Sequence, residues 1–327
     1  MRDFRTLRWG IQIGFALLTL WIGYDFLLFY QQVTGAGPVT IHRPSGVEAF
    51  LPISALLGLK RWLLTGQWDE IHPAGLTLLL AFLIGTVAAR RAFCSWICPV
   101  GTLLHGLEWF RRRVLRLPPR WNVPNWVRAV FPFAKYPLMA GFLWIAFGMP
   151  LSSIEEFLHQ PYNMGADGAM LALFANLSLK GIAILACLLL LSTVLRNGWC
   201  RVLCPYGALF AVVGVLSPFR IHRDESACKN CGSCTRACGM GIPVSRLGTV
   251  NSLECTSCLS CVSSCPVNGA LGVRSFWGGS VKPWILPAGA LAIMGVAYGL
   301  AVMTGHWDSV LTLDNYRFAY LMGGSGH

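Results

Sequence analysis

The sequence predicts an all-α polytopic membrane protein of about five transmembrane helices, joined to a small cysteine-rich α+β domain. Three observations predict it. Only 12% of the 327 residues are charged while 55% are apolar, against about 25% charged in an ordinary soluble domain. Five uncharged apolar stretches approach the roughly 20 residues that a helix needs to cross a bilayer. Thirteen cysteines are present, eight of them crowded between Cys228 and Cys265. The 26 Lys and Arg against 14 Asp and Glu, a net charge of +12, sit beside the apolar stretches. They read as topology signals and contacts to lipid phosphates, not as a nucleic-acid surface.

The first expected span runs from Trp9 to Tyr30 behind Arg2, Arg5 and Arg8. It reads as an uncleaved anchor, because a secretory signal has a shorter apolar core and a small-residue cleavage site. The others are Pro73 to Ala89, Tyr136 to Ile154, Lys180 to Leu195 and Pro283 to Gly305. In the fourth, either Lys180 snorkels to the outer surface or the helix begins nearer Gly168. Leu51 to Leu64 and Tyr206 to Ser217 are too short to cross and read as interfacial or re-entrant helices. Arg90, Arg91, Arg111, Arg112, Arg113, Arg116, Arg120, Arg128 and Lys135 lie between spans two and three, whereas residues 155–179 carry no Lys or Arg. The positive-inside rule therefore places the N-terminus and the basic segment 196–282 inside, and the tail from His306 outside.

Cys228, Cys231, Cys234 and Cys238 form C-x2-C-x2-C-x3-C, and Cys255, Cys258, Cys261 and Cys265 repeat it, followed by Pro266. This is the bacterial ferredoxin spacing, in which the fourth cysteine of each run ligates the other cluster. The expected sets are crossed: Cys228, Cys231, Cys234 and Cys265 for cluster A, and Cys255, Cys258, Cys261 and Cys238 for cluster B. Zinc sites usually draw separated cysteine pairs, and disulfides are disfavoured inside the cell. The first run continues with Gly239 where the second has Pro266.

Two further pairs, Cys94 with Cys98 and Cys200 with Cys204, each sit in an aromatic-C-x3-C-P-x-G segment, at an offset of 106 in the numbering. Val47-Glu48-Ala49-Phe50-Leu51 matches Ile154-Glu155-Glu156-Phe157-Leu158 at an offset of 107. Two features at nearly one offset argue for an internal parallel repeat. Cysteines at i and i+4 share a helix face, so a twofold would gather Cys94, Cys98, Cys200 and Cys204 around one point as a third metal centre; a redox-active dithiol and plain helix-end packing are the competing readings. Cys187 reads as a small core hydrophobe.

These motifs, with Arg43-Pro44-x-x-Val47-Glu48-x-Phe50-Leu51-Pro52-Ile53, resemble the polyferredoxin-like membrane proteins typified by NapH, to which the C-terminal half of NosR and the CcoG (RdxA) proteins are related. The resemblance covers roughly residues 1–280; the fifth span and outer tail depart from it. It implies a membrane core, here duplicated over 1–217, and a bacterial-type 2[4Fe-4S] ferredoxin-like domain over 218–282 on the cytoplasmic side of a bacterial inner membrane; the chain's own fifth span adds a helix and periplasmic tail over 283–327. It further implies a subunit moving electrons between the quinol pool and partner redox proteins, such as an extracytoplasmic ferredoxin-like or multihaem protein. The alternative is a CcoG-like factor that reduces a metal for assembly of a respiratory enzyme, and a third reading is an anchoring scaffold. No c-type haem motif or hydrolytic triad occurs in the chain, so terminal catalysis would belong to a partner.

Quinol oxidation needs an apolar cleft and groups that take protons. The outer candidates are Glu48 and Glu155, with His42 and His159 beside them and Glu156 and Asp25 secondary; an inner alternative uses His105 and Glu108.

Overall fold

A computed structural model describes residues 4–35, 41–116, 133–175 and 178–324; the basic residues Arg2, Arg120 and Arg128 lie outside them. The chain is mostly helical. Helix α1 spans Phe4–Val33, and after a 3-10 turn at Ser45–Phe50 come α2 (Pro52–Thr65), α3 (Pro73–Ala89), α4 (Ala92–Trp96) and α5 (Pro99–Arg113). There follow α6 (Lys135–Gly148), α7 (Leu151–Leu158), α8 (Pro161–Met164), α9 (Ala166–Ala175), α10 (Leu179–Val194), α11 (Gly198–Val202) and α12 (Pro205–Val213). The cysteine-rich segment holds β1 (Phe219–Arg223), α13 (Ser233–Ala237), α14 (Ser260–Ser263), β2 (Leu271–Ser275) and β3 (Ser280–Val281), and the chain closes with α15 (Ile285–Met303) and α16 (Leu313–Gly324).

Two described helices, α1 and α15, are long and apolar enough to cross a membrane, and two bent pairs bring the number to four; α3 is a shorter apolar helix of 17 residues. The expected third span is thus corrected. It does not run straight to Ile154 but breaks after Gly148, and α7 departs at 101°. Pro150 explains the break, since it lacks an amide hydrogen and disfavours helical geometry at the residue before it. The short segments after Leu51 and Tyr206 form α2 and α12, of 14 and 9 residues. Cys187 is exposed on α10, not in a core.

Three helices restart three earlier ones at the offset seen in the cysteine pairs: α10 begins at Leu179 against Pro73 for α3, α11 at Gly198 against Ala92 for α4, and α12 at Pro205 against Pro99 for α5. Pro99 and Pro205 open their helices at the first position, where the missing N–H costs nothing.

The chain divides into two compact units. One comprises Met1–Ala16, Phe82–Met139 and Cys187–Met294; the other comprises Leu17–Ala81, Ala140–Ala186 and Gly295–His327. In the first, β1 pairs antiparallel with β2, placing Phe219 opposite Ser275 and Arg223 opposite Leu271, and β2 pairs with β3. Ile221, Val250, Leu259, Val262, Leu271 and Val273 pack in one core with Phe4, Ala92, Trp96, Ile97 and Leu286. In the second unit, Phe26, Phe29 and Val33 of α1 pack with Val47, Tyr316 and Tyr320.

Candidate iron-sulfur centres

Each cysteine run of the first unit starts as a loop of alternating handedness. Asn230 and Gly232 have φ of 50° and 70°, and their counterparts in the second run, Ser257 and Leu259, have 51° and 57°. Such left-handed residues turn successive N–H groups toward one point, the nest geometry found at iron-sulfur sites. A buried leucine at positive φ is a genuine outlier, held here by the core around it. The loops gather the cysteines into two sets. Cys228, Cys231, Cys234 and Cys265 line one cavity, and Cys238, Cys255, Cys258 and Cys261 line another. These are the crossed combinations that the ferredoxin spacing implies. Among the described residues no three His, Cys, Asp or Glu side chains are arranged to hold a single metal ion. Eight soft thiol donors in two wider sets suit cubanes.

The two sets differ in surroundings. Cys231 is exposed, and hydrogen bonds from the side chain and N–H of Ser233 lower its thiol pKa; the N–H of Asn230, then Arg223, lower that of Cys228. Cys255 and Cys261 are buried, and burial pushes both up. At Cys258 burial acts upward too, but Arg8 and Ser260 outweigh it and hold the thiol below its ordinary value.

The buried set is held by both C-x3-C-P segments. Arg90 donates to the carbonyls of Val250 (2.9 Å) and Ser252 (2.8 Å), Arg91 to Leu253 (3.0 Å), Ser95 to Thr256 (2.7 Å) and Trp96 Nε1 to Ser257 (3.2 Å). From the second segment, Arg196 donates to the Cys238 carbonyl at 3.2 Å and Asn197 to that of Gly239 at 3.5 Å. A side chain at 239 would bring its Cβ to 3.2 Å from Asn197 Nδ2, so glycine at this position makes room for the contact.

Cys94 lies in α4 and Cys98 caps α5, and Cys200 and Cys204 hold the same places on α11 and α12. The expectation that each pair shares one helix face is corrected: the helix breaks between them, because the proline after Cys98 and Cys204 leaves both cysteines with extended ψ of 122° and 110°. The four thiols are nonetheless electrostatic neighbours. Burial, then the other thiols of the set, raise Cys98 to about 12 and Cys200 well above its ordinary value. Arg91 acts in the opposite sense on Cys94, Cys200 and Cys204, and Lys135 on Cys94 and Cys204. Glu254, next to Cys255, takes both hydrogen bonds of Lys135 Nζ at 2.7 Å and lies 3.5 Å from Arg91. Burial thus favours the neutral thiols, and a bound metal would favour the thiolates.

His105 and Glu108 stand in the same unit. The Gln12 amide nitrogen donates to Ser95 O at 2.9 Å and to His105 Nδ1 at 2.8 Å. An amide nitrogen has no acceptor lone pair, so Nδ1 accepts and the imidazole hydrogen is on Nε2. Burial, then Arg8 and Arg196, push this histidine down to about 3, and the neutral ring lines a cavity it shares with Cys238, Cys255, Cys258 and Cys261. Glu108 is paired with Arg111, Arg112 and Arg196.

In the second unit Glu48 is fully buried, accepting from Arg43 at 2.7 Å and the Gly75 N–H at 2.8 Å. Burial would raise its pKa, but Arg43 and His72 outweigh burial and hold it below the ordinary carboxylate value. Arg43 also binds Asp167 at 2.6 Å, and His72 Nδ1 lies 3.4 Å from Glu48. Glu155 is half-exposed and pairs with Arg61 at 2.7 Å. The two glutamates thus sit in separate ion-pair sets. Arg61 and Asp167 are separated by the same 106 positions as Cys94 and Cys200. Arg61 meets Glu155 directly; Asp167 opposite Glu48 would be like against like, and Arg43 bridges them. Arg43 opens the Arg43-Pro44 stretch of the sequence motif, whereas Arg61, His72 and Asp167 were not singled out by motif; the separation of 106 positions was the signal available for Arg61 and Asp167.

This fold and site define an electron-transport protein of the 4Fe-4S ferredoxin type with apolar helices. A family profile described as a 4Fe-4S binding domain matches twice, at 71–118 and 177–223, and one described as a 4Fe-4S dicluster domain matches 220–266. YccM of Escherichia coli K12, assigned to electron transport, is 35% identical over 97% of this chain and 90% of its own length. The methylamine utilization ferredoxin-type protein MauN of Methylorubrum extorquens is 31% identical over 59% of this chain and 63% of its own. The ferredoxin-type protein NapH of Escherichia coli K12 is 28% identical over 59% and 66%. No solved structure matches. The chain belongs to the NapH-type family of 4Fe-4S polyferredoxin-like membrane proteins.

Proposed function

We propose that the chain is a quinol-oxidising electron-transfer subunit of a bacterial inner membrane, working in series with partner redox proteins. The observation that carries this reading is the seating of the buried ferredoxin cavity on both C-x3-C-P segments. Cys238, Cys255, Cys258 and Cys261 would hold cluster B, Cys228, Cys231, Cys234 and Cys265 cluster A, and Cys94, Cys98, Cys200 and Cys204 a third centre. The profile that matches twice, once in each half of the membrane core, supports the internal repeat. The basic segments support a cytoplasmic N-terminus and cluster domain, with a periplasmic C-terminus.

A bound cubane supplies one-electron storage; the protein's part is to place the three sets in order. Arg90, Arg91 and Glu254 join the C-x3-C-P thiols to the Cys255 loop, while the exposed Cys231 marks the face open to a partner. Oxidation of one quinol releases two electrons and two protons. Glu48 and Glu155 remain the acidic groups proposed for the protons, Glu48 acting through its contact with His72.

The experiment is anaerobic addition of a short-chain quinol to purified protein, read by bleaching of cluster absorbance and by EPR. Bleaching without a partner supports the reading. Copper reduction that needs no quinol would favour the assembly-factor reading instead.

A further inference from the structure

The two cysteine runs of the first unit repeat at a spacing of 27 positions, Cys228 to Cys255 and Cys238 to Cys265, and a serine repeats with them, Ser233 to Ser260. In the first run Ser233 stands between a sulfur and a guanidinium. Its hydroxyl oxygen lies 3.5 Å from Cys231 Sγ and accepts from Arg236 Nη2 at 3.0 Å, while Arg236 Nη1 donates to the Cys231 carbonyl at 3.0 Å. The second run makes the same three contacts. Ser260 Oγ lies 3.4 Å from Cys258 Sγ and accepts from an arginine at 2.8 Å, and that arginine also donates to the Cys258 carbonyl, at 3.3 Å. This arginine, however, is Arg8 of α1, 250 positions away in the chain. The place that matches Arg236 in the second run holds Ser263, whose hydroxyl oxygen is buried without a hydrogen-bond partner among the described residues. The first helix thus supplies the guanidinium that the second run lacks.

The contact has a direction. A guanidinium can only donate, so the Ser260 oxygen accepts from Arg8. A cysteine that ligates metal is a thiolate with no hydrogen of its own, so the hydrogen between Ser260 and the ligating Cys258 is the one on the serine. A hydrogen bond to sulfur and a nearby positive charge both stabilise the electron that a cluster gains on reduction, and so raise its potential. The Arg8 contact is part-buried and that of Arg236 is exposed, so the same charge acts through a lower dielectric at the second run.

We propose that Arg8 is a positioning residue for the cluster on Cys238, Cys255, Cys258 and Cys261: it fixes the Ser260 hydroxyl on the Cys258 sulfur and raises that cluster's reduction potential. Arg236 acts in the same way through Ser233 on the other cluster. The inference rests on the two crossed ligand sets and is independent of quinol as the electron donor.

The test is an anaerobic redox titration of detergent-purified full-length protein, poised with dithionite and mediator dyes and read by EPR at each cluster. Arg8→Met keeps an apolar stem and removes the guanidinium. It is expected to shift the reduction equilibrium of one cluster at least tenfold toward the oxidised form, about 59 mV for one electron, and to leave the other cluster unmoved. Arg236→Met should move the other cluster instead. Ser260→Ala should move the same cluster as Arg8→Met in the same direction, and Ser260→Thr, which keeps the hydroxyl, should hold the wild-type midpoint. Arg8→Met combined with Ser260→Ala should fall short of the sum of the two single shifts, because one residue acts through the other. Should Arg8→Met fail to fold, Arg8→Lys decides: it keeps the charge without the planar fork, and a wild-type midpoint there would show charge acting without the serine and overturn the proposal. Unmoved midpoints in an iron-replete Arg8→Met protein, or additive shifts in the double variant, also overturn it while leaving the ligand sets and the quinol reading in place. Absence of two cluster signals from the wild type brings down the ligand sets as well.

Discussion

Replacing Gly101 by alanine probes why the C-x3-C-P segments end in x-G. A Cβ at Gly101 would stand 2.5 Å from the Cys94 carbonyl oxygen, and one at Gly207 would stand 3.2 Å from that of Cys200. Reaching ordinary contact near 3.4 Å means moving backbone by about 0.9 Å at the first site and about 0.2 Å at the second, and overpacking of the larger kind costs about 1–3 kcal/mol. Neither obstacle is a flexible side chain, so the Cys94 turn itself must shift. The Gly101→Ala protein is expected to lose the iron of the C-x3-C-P centre, keep the eight or so iron atoms of two cubanes, and melt several degrees lower in detergent. Gly207→Ala should keep its iron and melt within about a degree or two of the wild type. Iron and labile sulfide per chain, with a thermal melt followed by circular dichroism, measure all of this. Equal iron and equal melting for the Gly101→Ala protein would refute the claim that this backbone approach shapes the cysteine turn.

Changing Cys94 and Cys200 together to alanine should lower iron from about twelve to about eight atoms per chain; an unchanged count would leave those thiols without a metal role. Gln12→Leu removes the donor that fixes His105 and strands the Ser95 carbonyl, at about 1–3 kcal/mol; the EPR signal of the buried cluster should shift while that of the exposed one stays, and a shift in both would contradict the placement. In the second unit, the folded pKa of Glu48 lies below its ordinary 4.5, so its stabilisation is present above that value and fades as pH falls through the folded one. For His72, burial is outweighed by Glu48 and the pKa lies above 6.5, so its contribution is full below 6.5 and fades as pH rises through the folded value. Thermal melts should therefore weaken toward both acid and alkali, and His72→Gln should flatten the alkaline side; an alkaline slope unchanged in that variant would remove His72 from the account.

The cysteine spacing made the ferredoxin segment legible, because cubane geometry ties ligand order to chain order. The helix start at Pro73 was legible because proline is tolerated at a helix's first position; Pro99 and Pro205 open helices too, where the spacing of the cysteines suggested one continuous helix face instead. Less was readable where partners come from distant segments. Nothing in hydropathy distinguishes Gln12, one polar residue on an apolar helix, from a tolerated exception; its role depends on Ser95 and His105 arriving beside it. Arg43 stands in one motif with Glu48, but its second partner, Asp167, lies 124 positions away and is joined to it only by the fold. The kink at Pro150 was hidden by continuous apolarity, which measures affinity for lipid and says little about straightness.

Every hydrogen bond described from Arg90, Arg91, Ser95, Trp96 and Arg196 to the buried ferredoxin loop ends on a main-chain carbonyl, none on sulfur. The seat is consequently shaped by peptide groups that exist as soon as the chain is made. A cysteine of this loop changed to serine would therefore leave every one of these donors with its acceptor.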